Sequence, residues 1–153
     1  MEPSFTIRLA LPADAERIFA ILSEVACQIP ITEHVEALKT QIDDCCYSGL
    51  SYVAVDEDDD VVGVQLAKRA RWFDDEYIHL TYAGVTAAAR EKKILTRLID
   101  AEKGHGLPLV AVVKPDNKSK MVVRLTRRYG FRSWWSGAPF DFAYRWDPEV
   151  TSG

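Results

Sequence analysis

The chain has 153 residues, 48% hydrophobic and 27% charged, the size and composition of one globular domain that folds without disulfide or metal. No apolar run reaches the roughly 18–20 residues that span a bilayer, and the start Met1-Glu2-Pro3-Ser4 lacks the features of a secretory signal. A membrane protein is thereby excluded and a cytoplasmic location expected, while 19 basic and 23 acidic residues (net charge −4) exclude a general nucleic-acid surface.

Residues 5–9 (FTIRL) read as a strand with Phe5, Ile7 and Leu9 on one face. Leu11-Pro12-Ala13-Asp14 starts a helix, since proline is tolerated in a first turn, and Ala15, Ile18, Phe19, Leu22 and Val25 form its apolar stripe. Residues 27–31 break that helix. Thr32 is a candidate N-cap for a second helix, with Val35, Leu38, Ile42 and Cys45 as its stripe, ended by Ser48-Gly49. Residues 51–55 and 61–72 then read as a hairpin whose tip is the acidic run 56–60. A solvated tip explains that run better than calcium binding, because the glycine and terminal glutamate of an EF-hand loop are absent. Asp74-Asp75 makes another turn. Residues 76–85 (EYIHLTYAGV) form a strand with Tyr77, His79, Thr81 and Ala83 alternating against Ile78, Leu80 and Tyr82.

From Ala87 the period becomes helical, with apolar positions Leu95, Leu98 and Ile99 and a C-terminal glycine at Gly104. Residues 107–113 (LPLVAVV) read as a buried, central or parallel strand. Pro115-Asp116-Asn117 caps a helix running through Val122, Leu125 and Tyr129 to Gly130. Residues 132–135 and 140–146 form a last hairpin, whose Trp134, Trp135, Phe140, Phe142, Tyr144 and Trp146 serve the core or the surface of a homodimer. The basic patch of Arg124, Arg127, Arg128 and Arg132 lies on the surface. One domain over residues 1–147 is expected, with a loose tail over 148–153. The order β-α-α-β-β-β-α-β-α-β-β predicts an α/β (α+β) fold: a mixed, mostly antiparallel sheet of seven strands with about four helices on both faces.

Cys27, Cys45 and Cys46 are odd in number and lack CxxC spacing, so free thiols are expected. His34, His79 and His105 form no metal-binding pair, and no metal is expected.

With the phrase Ile7-Arg8-Leu9-Ala10-Leu11-Pro12-Ala13-Asp14-Ala15 at one end and Tyr129-Gly130-Phe131 before a strand at the other, this order resembles the GNAT superfamily of acetyl-CoA-dependent N-acyltransferases over nearly the whole chain. The resemblance implies acetyl-CoA as co-substrate and a primary amine of a small molecule or peptide as acceptor, with no nucleic acid or membrane partner. Its cofactor pattern, Q/R-x-x-G-x-G/A at a helix start, falls on Arg90, Glu91, Lys92, Lys93, Ile94 and Leu95. There the pyrophosphate would meet free N–H groups and the positive end of the helix dipole. Lys93 and Leu95 stand where the pattern has small residues. Negative φ is expected at a helix start, so the pattern's glycine reads as a need for clearance. The pantetheine arm would run along the backbone of Ala83, Gly84 and Val85.

The resemblance also implies a base six residues before Val85. That position is His79, an imidazole mostly neutral at pH 7; its other reading is a strand histidine bonded to a neighbour. Where the family places a thiolate-protonating tyrosine this chain has Thr126, and Tyr129, about 60° around the helix, is the substitute. Ser119 takes the place of an asparagine that contacts the cofactor arm, with Asn117 two residues earlier. Glu33, His34 and Trp72 are candidates for acceptor binding, and the acidic run 74–76 beside Trp72 would suit a polyamine, an aminoglycoside or a lysine-like amine. The competing reading is a catalytically inactive GNAT-like module that binds or regulates.

Overall fold

The computed structural model describes residues 5–24, 35–86, 89, 93–113, 127–137 and 140–148. Its strands are β1 (Thr6–Leu9), β2 (Tyr52–Val55), β3 (Val61–Trp72), β4 (Asp75–Val85), β5 (Leu109–Val113), β6 (Arg132–Gly137) and β7 (Phe140–Trp146). The described α-helices are α1 (Ala15–Glu24), α2 (Val35–Tyr47) and α3 (Ile94–Lys103), with a 3-10 turn over Pro12–Asp14. The element order agrees with the sequence reading. Three α-helices are described in place of four, because the helix expected over 115–129 falls almost wholly outside the described residues, as do Thr32, Val25 and Cys27.

Asp14 shows how the N-terminal phrase folds. Its carboxylate takes a bidentate pair from the Arg8 guanidinium, at 2.8 and 3.0 Å, and accepts the Leu11 N–H at 2.8 Å. Strand and helix start are thus joined by charge-assisted bonds, and Arg8 holds the Asp14 carboxyl below the usual carboxylate range. Ile18, Ile21 and Leu22 of α1 pack with Leu38, Ile42, Cys45 and Cys46 of α2 on one face of the sheet, against Val53, Val55, Val64 and Leu66. The alternate residues Tyr52 and Ala54 turn to the other face, against Ile94 and Leu98 of α3. Phe5, just before β1, and Ile7 within it join that second layer, but Leu9 is exposed at the sheet edge, not beside them. At the acidic tip the Asp56 carboxylate accepts the N–H groups of Asp58 and Asp60, closing the hairpin turn.

The sheet order is β1-β2-β3-β4-β5-β7-β6. Every pairing is antiparallel except β4 with β5. Strand β4 departs from simple alternation. Between the pairs Gln65↔Ala83 and Ala67↔Leu80, β3 advances two residues and β4 three, so β4 carries a bulge. Ile78 and Leu80 face the layer of Ile99, Leu109 and Tyr129. Tyr82 turns instead to the α1 and α2 layer, beside Thr81, whose hydroxyl donates to the Leu66 carbonyl.

Gly63 on β3 seats α3. A Cβ at that position would meet Ile94 Cγ2 at 2.8 Å and Leu98 Cδ1 at 3.6 Å. The branched Ile94 side chain is buried and cannot swing away, so Gly63→Ala pushes the helix start off the sheet. A loss of about 1–3 kcal/mol in urea unfolding is expected. An unchanged midpoint would contradict this account of the helix seat. At the other end of α3, Gly104 keeps a right-handed backbone (φ −62°), and the left-handed turn falls at Gly106 (φ +75°).

Candidate active site

The site lies where the parallel pair comes apart. The β4–β5 ladder holds Ile78 to Leu109, His79 to Val110 and Leu80 to Ala111, and ends there. Beyond Leu80, β4 continues along β3, with Ala83, Gly84 and Val85 opposite Gln65, Val64 and Gly63. Strand β5 turns to β7, with Val112 and Val113 opposite Ala143 and Phe142. The bulge bends β4 at the point of parting. A wedge therefore opens between the C-terminal ends of two parallel strands, the place where open sheets of this kind receive ligands.

Helix α3 connects these two strands, so its N-terminus stands at the mouth of the wedge. Lys93, just before it, has φ +57° and ψ +28°, a left-handed backbone, and gives the helix no side-chain cap. This corrects the expectation of negative φ: the position taken by glycine in the family pattern is, in this chain, a left-handed one. Clearance and conformation both favour glycine there. The Lys93 side chain is exposed. Ile94 is buried against Gly63 and Ala54, and Leu95 packs beside the cluster that holds Ile99, Leu109 and Tyr129. Holding lysine at this φ costs about 1–2 kcal/mol, and glycine adds about 0.5–1 kcal/mol of unfolded-state freedom. Lys93→Gly should therefore stabilise the protein by about 0.5–1 kcal/mol in urea unfolding with an unchanged m value. A destabilised variant would contradict the strain.

His79 sits on β4 just before the parting, on the face that carries α1 and α2. It lines a shallow hollow with Tyr77, Val110, Val112, Trp134 and Ala143. Burial, and secondarily the positive charge of Lys68 opposite it on β3, push its imidazole below the ordinary value. A neutral ring with a free lone pair is the consequence at pH 7. Of these neighbours Tyr77, on the same face of the strand, and Trp134, in the last hairpin, were named from the sequence. The others follow from the β4–β5–β7 register, which local periodicity does not contain.

Tyr129 is on the opposite face. Its phenol oxygen accepts a hydrogen bond of 3.3 Å from the Thr96 hydroxyl on the first turn of α3, and it is buried with Leu80 and Ile99. The parting strands thus have an imidazole on one face and a phenol on the other. Lys103 fixes the backbone here by donating to the Tyr129 carbonyl at 2.8 Å. The two described cysteines, Cys45 and Cys46, are buried free thiols. Burial raises both, Cys46 to about 11, so neither is a thiolate nucleophile at neutral pH.

The acidic turn stands apart from this centre. Trp72 pairs with Asp75 at the closed end of the β3–β4 hairpin, and four residues, roughly 13 Å, separate Asp75 from His79 along the strand. Asp75 is bound by Arg145, and Glu76 by Arg71 at 2.6 Å. The Trp72 side chain, and Glu33, His34, Arg90, Glu91, Lys92, Asn117, Ser119 and Thr126, lie outside the described residues. Among the described residues no group of histidine, cysteine and acidic side chains could hold a metal ion, and no helix is long and apolar enough to cross a membrane.

The architecture is that of the GNAT acetyltransferases. A histone acetyltransferase HPA2-related acetyltransferase from Corynebacterium glutamicum superposes with a TM-score of 0.73 at 20% identity, covering 100% of both chains. The PaiA N-acetyltransferase of Thermoplasma acidophilum, solved with coenzyme A, gives 0.69 at 16% identity, covering 93% of this chain and 98% of that one. Arabidopsis thaliana Naa50, solved with the bisubstrate analogue CoA-Ac-MVNAL, gives 0.70 at 12% identity over 94% and 99%. No protein-family model and no curated protein matches the sequence.

Proposed function

We propose that the chain is a cytoplasmic N-acetyltransferase of one domain, moving the acetyl group of acetyl-CoA to a primary amine by direct attack in a ternary complex. The observation that carries this reading is the parting of β4 and β5 at Leu80 and Ala111, with the start of α3, which the Lys93 side chain does not cap, at its mouth. The pantetheine arm would lie along Ala83, Gly84 and Val85, and the pyrophosphate against the first turn of α3 with Arg90, Lys92 and Lys93.

In the reaction the amine lone pair attacks the thioester carbonyl carbon. The C–N bond forms, the C–S bond breaks, and the amine proton passes to the neutral His79 imidazole. The departing thiolate takes a proton, for which the candidate donor is the Tyr129 phenol, hydrogen-bonded to Thr96 on the first turn of α3. Products are the acetamide and CoA thiol. The raised Cys45 and Cys46 thiols support direct attack over an acyl-enzyme on either of them.

Initial rates of CoA thiol release, with acetyl-CoA and amine varied together, test the reading. Intersecting double-reciprocal lines are expected. Parallel lines with an acetylated protein in the mass spectrum would overturn direct attack. The alternative, a catalytically inactive module of the same fold, draws on Lys93 and Leu95 in place of small residues. CoA binding without thiol release from any amine would favour it.

A further inference from the structure

One side chain outside the chemistry above governs the surroundings of His79. Lys68, His79, Val110, Arg145 and Arg132 stand in one row across five strands and share a face of the sheet. Arg145 is two strands, roughly 10 Å, from His79 along that row. Its guanidinium is engaged by other partners. Nη1 and Nη2 both donate to the Asp75 carboxylate on β4, and Nε donates to Asp147 at 2.9 Å. Arg132 donates to the other oxygen of Asp147, so the strands at this end of the sheet are linked by one chain of charges.

The guanidinium also lies 5.2 Å from the centroid of the Trp134 ring, within the range of a cation–π contact. Trp134 is the extra residue of a bulge, since Ser133 and Trp135 oppose the consecutive residues Tyr144 and Ala143. A bulge re-aims a side chain, and this one turns the indole onto the buried cluster of Tyr77, Val110 and Ala143. The indole meets the Tyr77 ring edge to face, with centroids 5.9 Å apart. With His79 and Val112 these side chains enclose the hollow, about 20 Å³, the space of about one water molecule. Trp134 is its wall from β6, an edge strand of the sheet, and Arg145 is the cation stacked on that wall.

We infer that Arg145 is a positioning residue for His79: gripped by Asp75 and Asp147, it holds the Trp134 ring over the sheet and limits the water that reaches the imidazole. That His79 is the base rests on the acetyltransferase reading above; its enclosure does not. Among the described residues, the titratable and charged groups around this part of the sheet are Lys68 on β3, Asp75 and Tyr77 on β4, Arg145 and Arg132 in the row, and the Cys45 thiol of α2, which touches Thr81. Burial is the larger cause of the lowered His79 value and Lys68 the smaller, so opening the hollow raises it.

The test follows the His79 ring resonances in an NMR pH titration of the whole chain. Arg145→Gln and Trp134→Leu are each expected to move the midpoint upward, towards 6.5. The double variant is expected to move it no further than Trp134→Leu alone, because Arg145 acts through the indole. An unmoved midpoint in Arg145→Gln would overturn the proposal. So would a further rise in the double variant, which would assign the effect to the Arg145 charge itself. Should Arg145→Gln fail to fold, Asp75→Asn decides, since that carboxylate is partly exposed and loosens one arm of the grip. Losing a negative charge lowers the imidazole value, whereas releasing Trp134 raises it, so a rise supports the proposal and a fall or no change overturns it. In turnover the acid limb of kcat follows the same midpoints. If no amine is acetylated, the acetyltransferase reading fails, and the titration midpoints still decide the role of Arg145.

Discussion

His79→Gln lowers kcat by about 10²–10³-fold while the affinity for acetyl-CoA stays within about twofold. The side chain is half-buried in a shallow hollow, so glutamine fills the site and the fold survives. The pH profile gives the sharper reading. The neutral ring is the base, and burial followed by the Lys68 charge depresses its pKa below 6.5. Activity is therefore retained at and above 6.5 and is lost as pH falls through the depressed value. Lys68→Ala removes one of the two causes and moves that acid limb upward. An acid limb unaffected by Lys68→Ala and still present in His79→Gln would remove His79 from the chemistry.

The second large effect is on stability, at Glu102 of α3. It is fully buried, neither carboxylate oxygen has a hydrogen-bond partner among the described residues, and burial pushes its carboxyl up to about 9. The folded state holds the proton at pH 7, whereas the unfolded chain, with an ordinary value of 4.5, has lost it. Folding must then take up a proton, at about 1.4 kcal/mol for each pH unit above the unfolded value. Stability from this group is complete below pH 4.5 and is lost progressively as pH rises towards 9. Glu102→Met, of similar length and without a charge to bury, is expected to stabilise by about 2–3 kcal/mol at pH 7. The gain should shrink towards pH 5. An equal gain at both pH values would mean that packing, and not proton uptake, sets the cost.

Glu102 also shows what the sequence conceals. It stands four residues after Leu98 and three after Ile99, so the stripe that predicts the buried face of α3 runs straight through it. The polar side chain masked the spacing. Most elements were legible because period-2 and period-3.6 patterns are local; β3 and α2 match the expected runs closely. What stayed hidden depends on partners distant in sequence. The insertion of β7 between β5 and β6 is set by packing, and the β4 bulge by a three-for-two register with β3. That bulge is why Tyr82 leaves the face of Ile78 and Leu80. His79 was found through the spacing to Val85, but its walls from β5 and β7 required the sheet. The left-handed Lys93 is invisible to propensity, since lysine there breaks the local rule.

Calorimetric titration with acetyl-CoA, and separately with free CoA, tests the central claim most directly. Binding in the micromolar range is predicted, weakened about tenfold by Arg90→Ala or Lys93→Glu. No heat from either ligand at about millimolar concentration would contradict the reading of the β4–β5 wedge as a CoA site.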